Sequence, residues 1–359
     1  MRSQLVLALC FVAGLQGLAQ TAAAPPQGLP KDPRAILAAA APFYDFSDPT
    51  LKPFHIKATY RLYDANGKPE EQGTWEYWRV SPKEFRSSWV RADAARTEWR
   101  TGDGALYRKE SGKTLKYFER NIADSVLSPL PIKEMLDSGR YRLEVQSVPA
   151  GRDTLPCVLA TLQWFVNGQP SAPSSSVGER YCFDPASHAL LISASNTIGT
   201  EYREIVKTQN HYIPREVDFF AGNIKLFALS VDTIDGVSEA DAAATPAADA
   251  VLESPAPAIT VYGGKDPAAG VAVGRLVKKV APVYPDMAKM ARVQGEVVLA
   301  AVISKEGRIK DLEVLATPSP MLTEPALDAV KRWEYLPYLL NGEPVEVETI
   351  INVNFALGR

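Results

Sequence analysis

Histidine and cysteine are scarce: the 359 residues hold three of each. His55, His188 and His211 are dispersed, which leaves no His-rich metal site and no repeated general base. Each reads as a surface residue or a satisfied core residue. No C-x-x-C pair exists, so a thiol-exchange enzyme has no motif to work with. G-x-S-x-G, H-E-x-x-H, a P-loop and G-x-G-x-x-G are missing too, and with them the signatures of several enzyme classes. Asp64, Asp103 and Asp184 fall in turns, where hydrogen bonding to nearby backbone accounts for them. Charge of one sign is also lacking. The 39 basic and 42 acidic side chains leave a net −3, whereas a nucleic-acid binder needs a basic field. These absences point to a non-catalytic protein. The rival reading is an enzyme housed in the N-terminal region.

The leading apolar run, Leu5 to Val12, is shorter than the roughly 20 residues of a membrane-spanning helix. Arg2 precedes it, Gly14, Gln16 and Gly17 break it, and Gly17-Leu18-Ala19 puts small residues where a signal peptidase cuts. Residues 1–19 therefore read as a cleaved secretory signal, with an uncleaved membrane anchor as the alternative. Cleavage would remove Cys10 and leave Cys157 and Cys182. In an exported chain two cysteines most simply form a disulfide, and two free thiols are the alternative. Closing that loop would contribute about 3 kcal/mol by the chain-entropy model.

Composition divides the remainder. From Glu239 to Ala258, nine alanines and three prolines fill 12 of 20 positions. Residues 235–273 carry six acidic side chains and one lysine, which predicts a solvated, semi-extended linker. Before it, residues 30–234 read as a mainly-β domain. His55 to Tyr63 alternates apolar and polar, and turn signals recur at Asp64-Ala-Asn-Gly67 and Thr101-Gly-Asp-Gly104. Asn121 to Asp137 is the one helical stretch, broken by Pro129 and Pro131. About ten short strands predict one curved antiparallel sheet or half-barrel with a helix, an α+β arrangement. Trp75 and Tyr77 share one face of a strand and Trp78 the other, so both faces need cover. The rings serve either as ordinary core or as the lining of a lipid cavity.

After the linker, residues 274–359 form a small domain. A short helix, Asp286 to Arg292, is followed by a strand, Glu296 to Ser304, the Lys305-Glu-Gly307 hairpin and a return strand, Arg308 to Ala316. Asp286 is placed to cap the short helix. Leu322, Ala326, Ala329, Val330 and Trp333 then form one apolar helical stripe, with Pro325 placed in its first turn. Asn341-Gly342 marks a turn. Val345 to Leu357 alternates Val345, Val347, Thr349, Ile351 and Val353 against polar neighbours. A strand of that length outruns its hairpin partners, and the unpaired backbone offers a place for strand addition.

The motifs Tyr284-Pro285, Gly295-Glu-Val297, Gly307, Ala326-Leu-Asp-Ala-Val330, Arg332-Trp333, Tyr335, Pro337, Asn341-Gly342-Glu-Pro344-Val345 and Phe355 stand in the order and spacing of the TonB C-terminal domain family. Residues 274–359 resemble that family. The resemblance implies two helices on a three-stranded antiparallel sheet. It also implies docking, through the last strand, on an extended segment of an outer-membrane TonB-dependent transporter. The partner-binding residues would be Tyr284, Pro285, Val345, Val347, Thr349, Ile351 and Val353, with no cofactor. Two departures matter. The energy transducers of the family have a membrane helix and a long spacer, whereas here the leader reads as cleavable and a folded domain stands in place of the spacer. The N-terminal region resembles lipoprotein carriers of the LolA/LolB type in topology alone.

The expectation is an exported periplasmic binding protein of the cell envelope, associated with transmembrane transport. One alternative is a membrane-anchored energy transducer, and another is a lipid or lipoprotein carrier. An exposed edge also admits pairing with a second copy.

Overall fold

Turn glycines set the strand boundaries. Gly67 and Gly104 take φ values of 80° and 89° and close the first and fourth hairpins of the N-terminal strands. The computed structural model describes residues 31–137, 141–150, 153–162, 164–166, 169–171, 178–195, 198–242, 244–253, 259–261, 271–272, 276–340 and 342–357. The leader read at 1–19 lies outside the described residues. The chain is α+β, with mostly antiparallel strands, few helices and a small C-terminal sheet. It divides into two compact units, Met1–Leu51 with Ile122–Val231, and Lys52–Asn121 with Asp232–Arg359.

In the first unit, the helix Pro33–Ala40 starts at Asp32, whose carboxylate accepts from Arg34 N–H, and buries Ile36, Leu37 and Ala40. The helical stretch expected after Asn121 is present as Ile122–Leu127 and Ile132–Asp137, divided where Pro129 and Pro131 stand. The strands His211–Ala221, Ile198–Thr208, Leu190–Ala194, Gly178–Phe183, Asp153–Leu162 and Tyr141–Ala150 follow one another in antiparallel order. Cys157 and Cys182 are direct cross-strand partners and form the expected disulfide, packed with Leu155 and Ile192.

In the second unit, five strands run as a meander: Phe54–Tyr63, Pro69–Ser81, Glu84–Arg91, Ala94–Arg100 and Leu106–Gly112. Bulges after Leu62 and Arg79 interrupt the register. Trp75 and Tyr77 are buried, as their shared face requires. Trp78, on the opposite face, is stacked on His55 at 4.4 Å, with the Arg86 guanidinium 3.8 Å from its ring. Above the buried face lies the one-turn helix Tyr117–Arg120. Its Glu119 is fully buried and accepts from Tyr60 Oη at 2.5 Å, Arg91 Nη1 at 2.6 Å and Lys116 N at 2.7 Å. Trp89 Nε1 donates to the Glu119 carbonyl at 2.7 Å. Charged hydrogen bonds on both oxygens make that burial tolerable. The cluster also explains Gly73: a Cβ there would lie 2.4 Å from the Tyr60 ring.

The C-terminal part of the same unit is a four-stranded sheet in the order Ile259–Val261, Val347–Phe355, Gly295–Ile303, Ile309–Ala316. The last three are antiparallel, and the helices Asp286–Met290 and Pro320–Val330 accompany them. Val297, Leu299, Ala301, Ile351, Val353 and Phe355 interlock with Leu322, Ala326, Val330 and Trp333. The odd positions of the last strand thus face the core, as alternation requires. Gly307, with φ 79°, serves both the hairpin and a close approach, since a Cβ would lie 1.9 Å from the Tyr335 carbonyl.

Four local expectations are corrected. The last strand begins at Val347 and spans nine residues; Pro344 belongs to a separate short strand, Glu343–Val345, paired with Tyr338–Leu340. All nine residues have partners on Gly295–Ile303, so this strand does not outrun its neighbour. Pro285 occupies the N-cap of the short helix, and Asp286 sits inside its first turn, accepting from Lys289 Nζ at 3.0 Å. Finally, the second helix starts at Pro320 with Ser319 as its cap, which places Pro325 in the helix interior. There its missing N–H forgoes the bond to the Met321 carbonyl.

Candidate functional site

The candidate site is the outer edge of the strand Val347–Phe355. One side of this strand is consumed by the ladder with Gly295–Ile303. On the other side the described residues show one ladder, a parallel one with Ile259–Val261, in the register Ile259↔Val347, Thr260↔Glu348 and Val261↔Thr349. That edge is where backbone N–H and C=O groups face outward to accept a further strand.

Most of the sequence-predicted residues meet here through their backbones only. The side chains of Val347, Ile351 and Val353 are buried in the two apolar clusters, and Thr349 is 2 % exposed. They anchor the strand in the core of the sheet. Val345 lies in the neighbouring short strand, outside the nine-residue ladder. Tyr284 is a brace: its ring meets Phe355 edge-on at 5.4 Å, and its hydroxyl donates to the Val293 carbonyl at 2.5 Å. Pro285 starts the short helix beside it. Around that helix Val283, Met287 and Met290 are exposed.

Residues that sequence reasoning missed control the second face of the sheet. Glu348 is 6 % exposed and accepts from Arg120 Nε at 3.1 Å, from Arg120 Nη2, and from Asn121 Nδ2 at 3.3 Å. Glu313, on the strand Ile309–Ala316, accepts the Tyr117 backbone N–H at 2.8 Å. That donor is one of the N–H groups that a helix start leaves without an internal partner. Burial raises the Glu313 carboxyl to about 7; the Tyr117 N–H and the nearby Arg120 and Lys116 charges oppose this, and Glu348 adds to it. Glu346, next to Glu348 on the strand approach, pairs with Lys310 at 2.8 Å. No spacing rule singles out Glu348 or Glu313, because their partners lie about two hundred residues away in sequence. The Ile259-Thr-Val261 run, by contrast, carried a signal: three β-branched residues followed by Tyr262, standing between Ala/Pro and Gly263. The linker composition around it masked that signal.

Among the described residues, no group of three or more His, Cys, Asp or Glu side chains is placed to hold a metal ion. His55 bonds Glu76 at 2.8 Å, and His211 is buried between the Gln209 and Asp45 carbonyls.

Residues 280–357 match the family described as Gram-negative bacterial TonB protein C-terminal. The Protein TonB of Vibrio cholerae serotype O1 is 30% identical over 80 residues, covering 22% of this chain and 33% of that protein. The chain thus spans about a third of the length of the curated relative it matches. The solution structure of the Pseudomonas aeruginosa TonB CTD is 26% identical and covers 26% of this chain and 91% of its own, at a TM-score of 0.22. A putative outer membrane lipoprotein-sorting protein domain from Vibrio parahaemolyticus is 9% identical over 58% of this chain and 94% of its own, at a TM-score of 0.35. It is therefore the C-terminal segment, residues 280–357, that carries the signature of the TonB C-terminal family.

Proposed function

We propose that this chain is an exported, non-catalytic binding protein of the periplasm. Its C-terminal segment docks on an extended segment of an outer-membrane transporter by adding a strand at the edge of Val347–Phe355. The observation that carries the reading is the position of that strand: it has a full ladder on one side and an edge on the other that already accepts a parallel strand. The inward side chains fix the register, and the partner's main chain supplies the bonds. The family match supports this mode of use. The Glu119 and Glu348 clusters are satisfied structural ion pairs, which supports a binding role over catalysis.

The test is an NMR titration of the full mature chain with synthetic extended peptides copied from periplasm-facing transporter segments. The expected result is a set of amide shifts concentrated on Val347–Phe355. Shifts confined to the N-terminal strands, or none, would overturn the reading. The anchored-transducer alternative is decided by N-terminal sequencing of the protein from cell envelopes: a chain starting near Gln20 removes it. Among the described residues no helix is long and apolar enough to cross a membrane.

A further inference from the structure

The docking edge is not vacant. Ile259–Val261 comes from the stretch that composition marks as a solvated linker, yet it pairs with Val347–Thr349. The same stretch is pinned just upstream. Val251–Leu252 pairs antiparallel with Tyr107–Arg108 of the meander's last strand. Glu253 N–H donates to the Leu106 carbonyl at 2.8 Å, and the Glu253 carboxylate meets Arg108 Nη1 at 3.2 Å. Asp249 meets Lys109 Nζ at 2.8 Å. Six residues, 253–258, separate the pinned strand from the strand on the docking edge.

From this we infer that Ile259–Val261 is an internal competitor: the chain caps its own docking edge, and an incoming extended segment must displace the cap. The inference rests on the proposed docking edge and adds its regulation. Two physical features fit a displaceable cap. A three-residue ladder is shorter than the usual strand of about 5–6 residues, so its own bonds hold it weakly. Its pinned tether is short, so its effective concentration at the edge is on the order of millimolar. A cap of this kind sets a threshold. Weak or transient segments fail against the tethered strand, and a segment that brings more ladder or side-chain contact replaces it. The residue opposite Thr260 is Glu348, whose side chain is held by Arg120 and Asn121. The cap and the helix therefore act on one residue, through its backbone and its carboxylate respectively.

The experiment uses the full chain in three forms: wild type, T260P/V261P, and a form with twelve Gly/Ser residues inserted after Glu253. Proline removes ladder donors, and the insertion keeps the strand but dilutes it at the edge. The probes are a synthetic peptide copying residues 256–264 and the transporter-derived peptides above. The readouts are amide exchange at 347–349 and peptide Kd. The expected result is exchange faster by about tenfold or more in the proline form and a Kd for the 256–264 peptide lower by about tenfold, with the insertion form between. Equal exchange and equal Kd in all three forms would overturn the inference. If the transporter peptides bind all three forms equally, docking stands and the cap falls. If they bind none while the 256–264 peptide binds only the uncapped form, the cap stands and docking falls.

Discussion

The meander 54–112 and the last three strands of the small C-terminal sheet are both antiparallel, and both have an edge covered by a piece of the linker, yet they are stabilised differently. The meander encloses a charged cluster, Glu119 with Arg91 and Tyr60, and its edge cap is fastened by ion pairs to Arg108 and Lys109. The small sheet encloses apolar side chains, Leu299 and Phe355 among them. In the meander's cluster Arg91 also meets Glu71 and Asp93, so several carboxylates share one guanidinium. The small sheet keeps its buried carboxylates, Glu348 with Arg120 and Glu313 with the Tyr117 N–H, apart from its apolar cluster. The contrast is between a sheet whose covered face centres on an ion cluster and one whose covered face is apolar.

The largest test of this contrast is Glu119→Ala. It removes the buried acceptor of Tyr60, Arg91 and the Lys116 N–H, while Arg91 keeps Asp93 and Glu71, and a loss of about 3–5 kcal/mol is expected in the meander. Chemical denaturation followed by fluorescence of the meander tryptophans measures it; a loss below about 1 kcal/mol would erase the contrast. Leu299→Ala is the counterpart in the small sheet, with an expected loss of about 3 kcal/mol from lost burial and a residual cavity. Hydrogen exchange across Gly295–Ile303 reads it, and amides in the meander should keep their protection.

Glu313→Gln acts where the helix Tyr117–Arg120 meets the small sheet, and its effect is smaller. With the folded carboxyl raised to about 7 from 4.5, the folded chain binds a proton that the unfolded chain has released between those values. Stability therefore falls as pH rises from about 4.5 to 7 and levels off above that range. The variant should remove this slope and gain about 1–2 kcal/mol at pH 8, with no gain at pH 4. Denaturation midpoints across pH 4 to 8 check it, and parallel curves for variant and wild type would rule it out. The smallest effect belongs to Lys109→Ala, which removes the exposed pair with Asp249. Its denaturation midpoint should stay unchanged within error, while exchange at Val251–Leu252 quickens slightly and fades into the wild-type value at high salt.

What could be read from the sequence was local. Hairpin glycines, the shared face of Trp75 and Tyr77, the odd-numbered face of the last strand and the break at Pro129 and Pro131 depend on neighbours within a few residues. What escaped depends on distant partners. Glu348 resembles any outward-facing acid of an alternating strand until Arg120 and Asn121 are brought to it. The linker looked solvated because its alanines and prolines dominate its composition, whereas three short runs within it, Val251–Leu252, Ile259–Val261 and Val271–Ala272, pair with strands elsewhere in the sequence. The last strand is shorter than its alternation implies because Val345 pairs with Tyr338 in a separate short strand and the ladder with Gly295–Ile303 ends at Phe355.

The disulfide has a consequence beyond closing a loop. Cys157 and Cys182 stand directly opposite each other on adjacent strands. A slip of one residue between those strands would turn every side chain of Gly178–Phe183 to the wrong face, sending Tyr181 and Phe183 to where Arg180 now stands. Once the bond has formed, that slip is sterically closed. The two strands can separate and rejoin, but only in the frame the cysteines record, so the bond works as a memory of alignment for this part of the sheet.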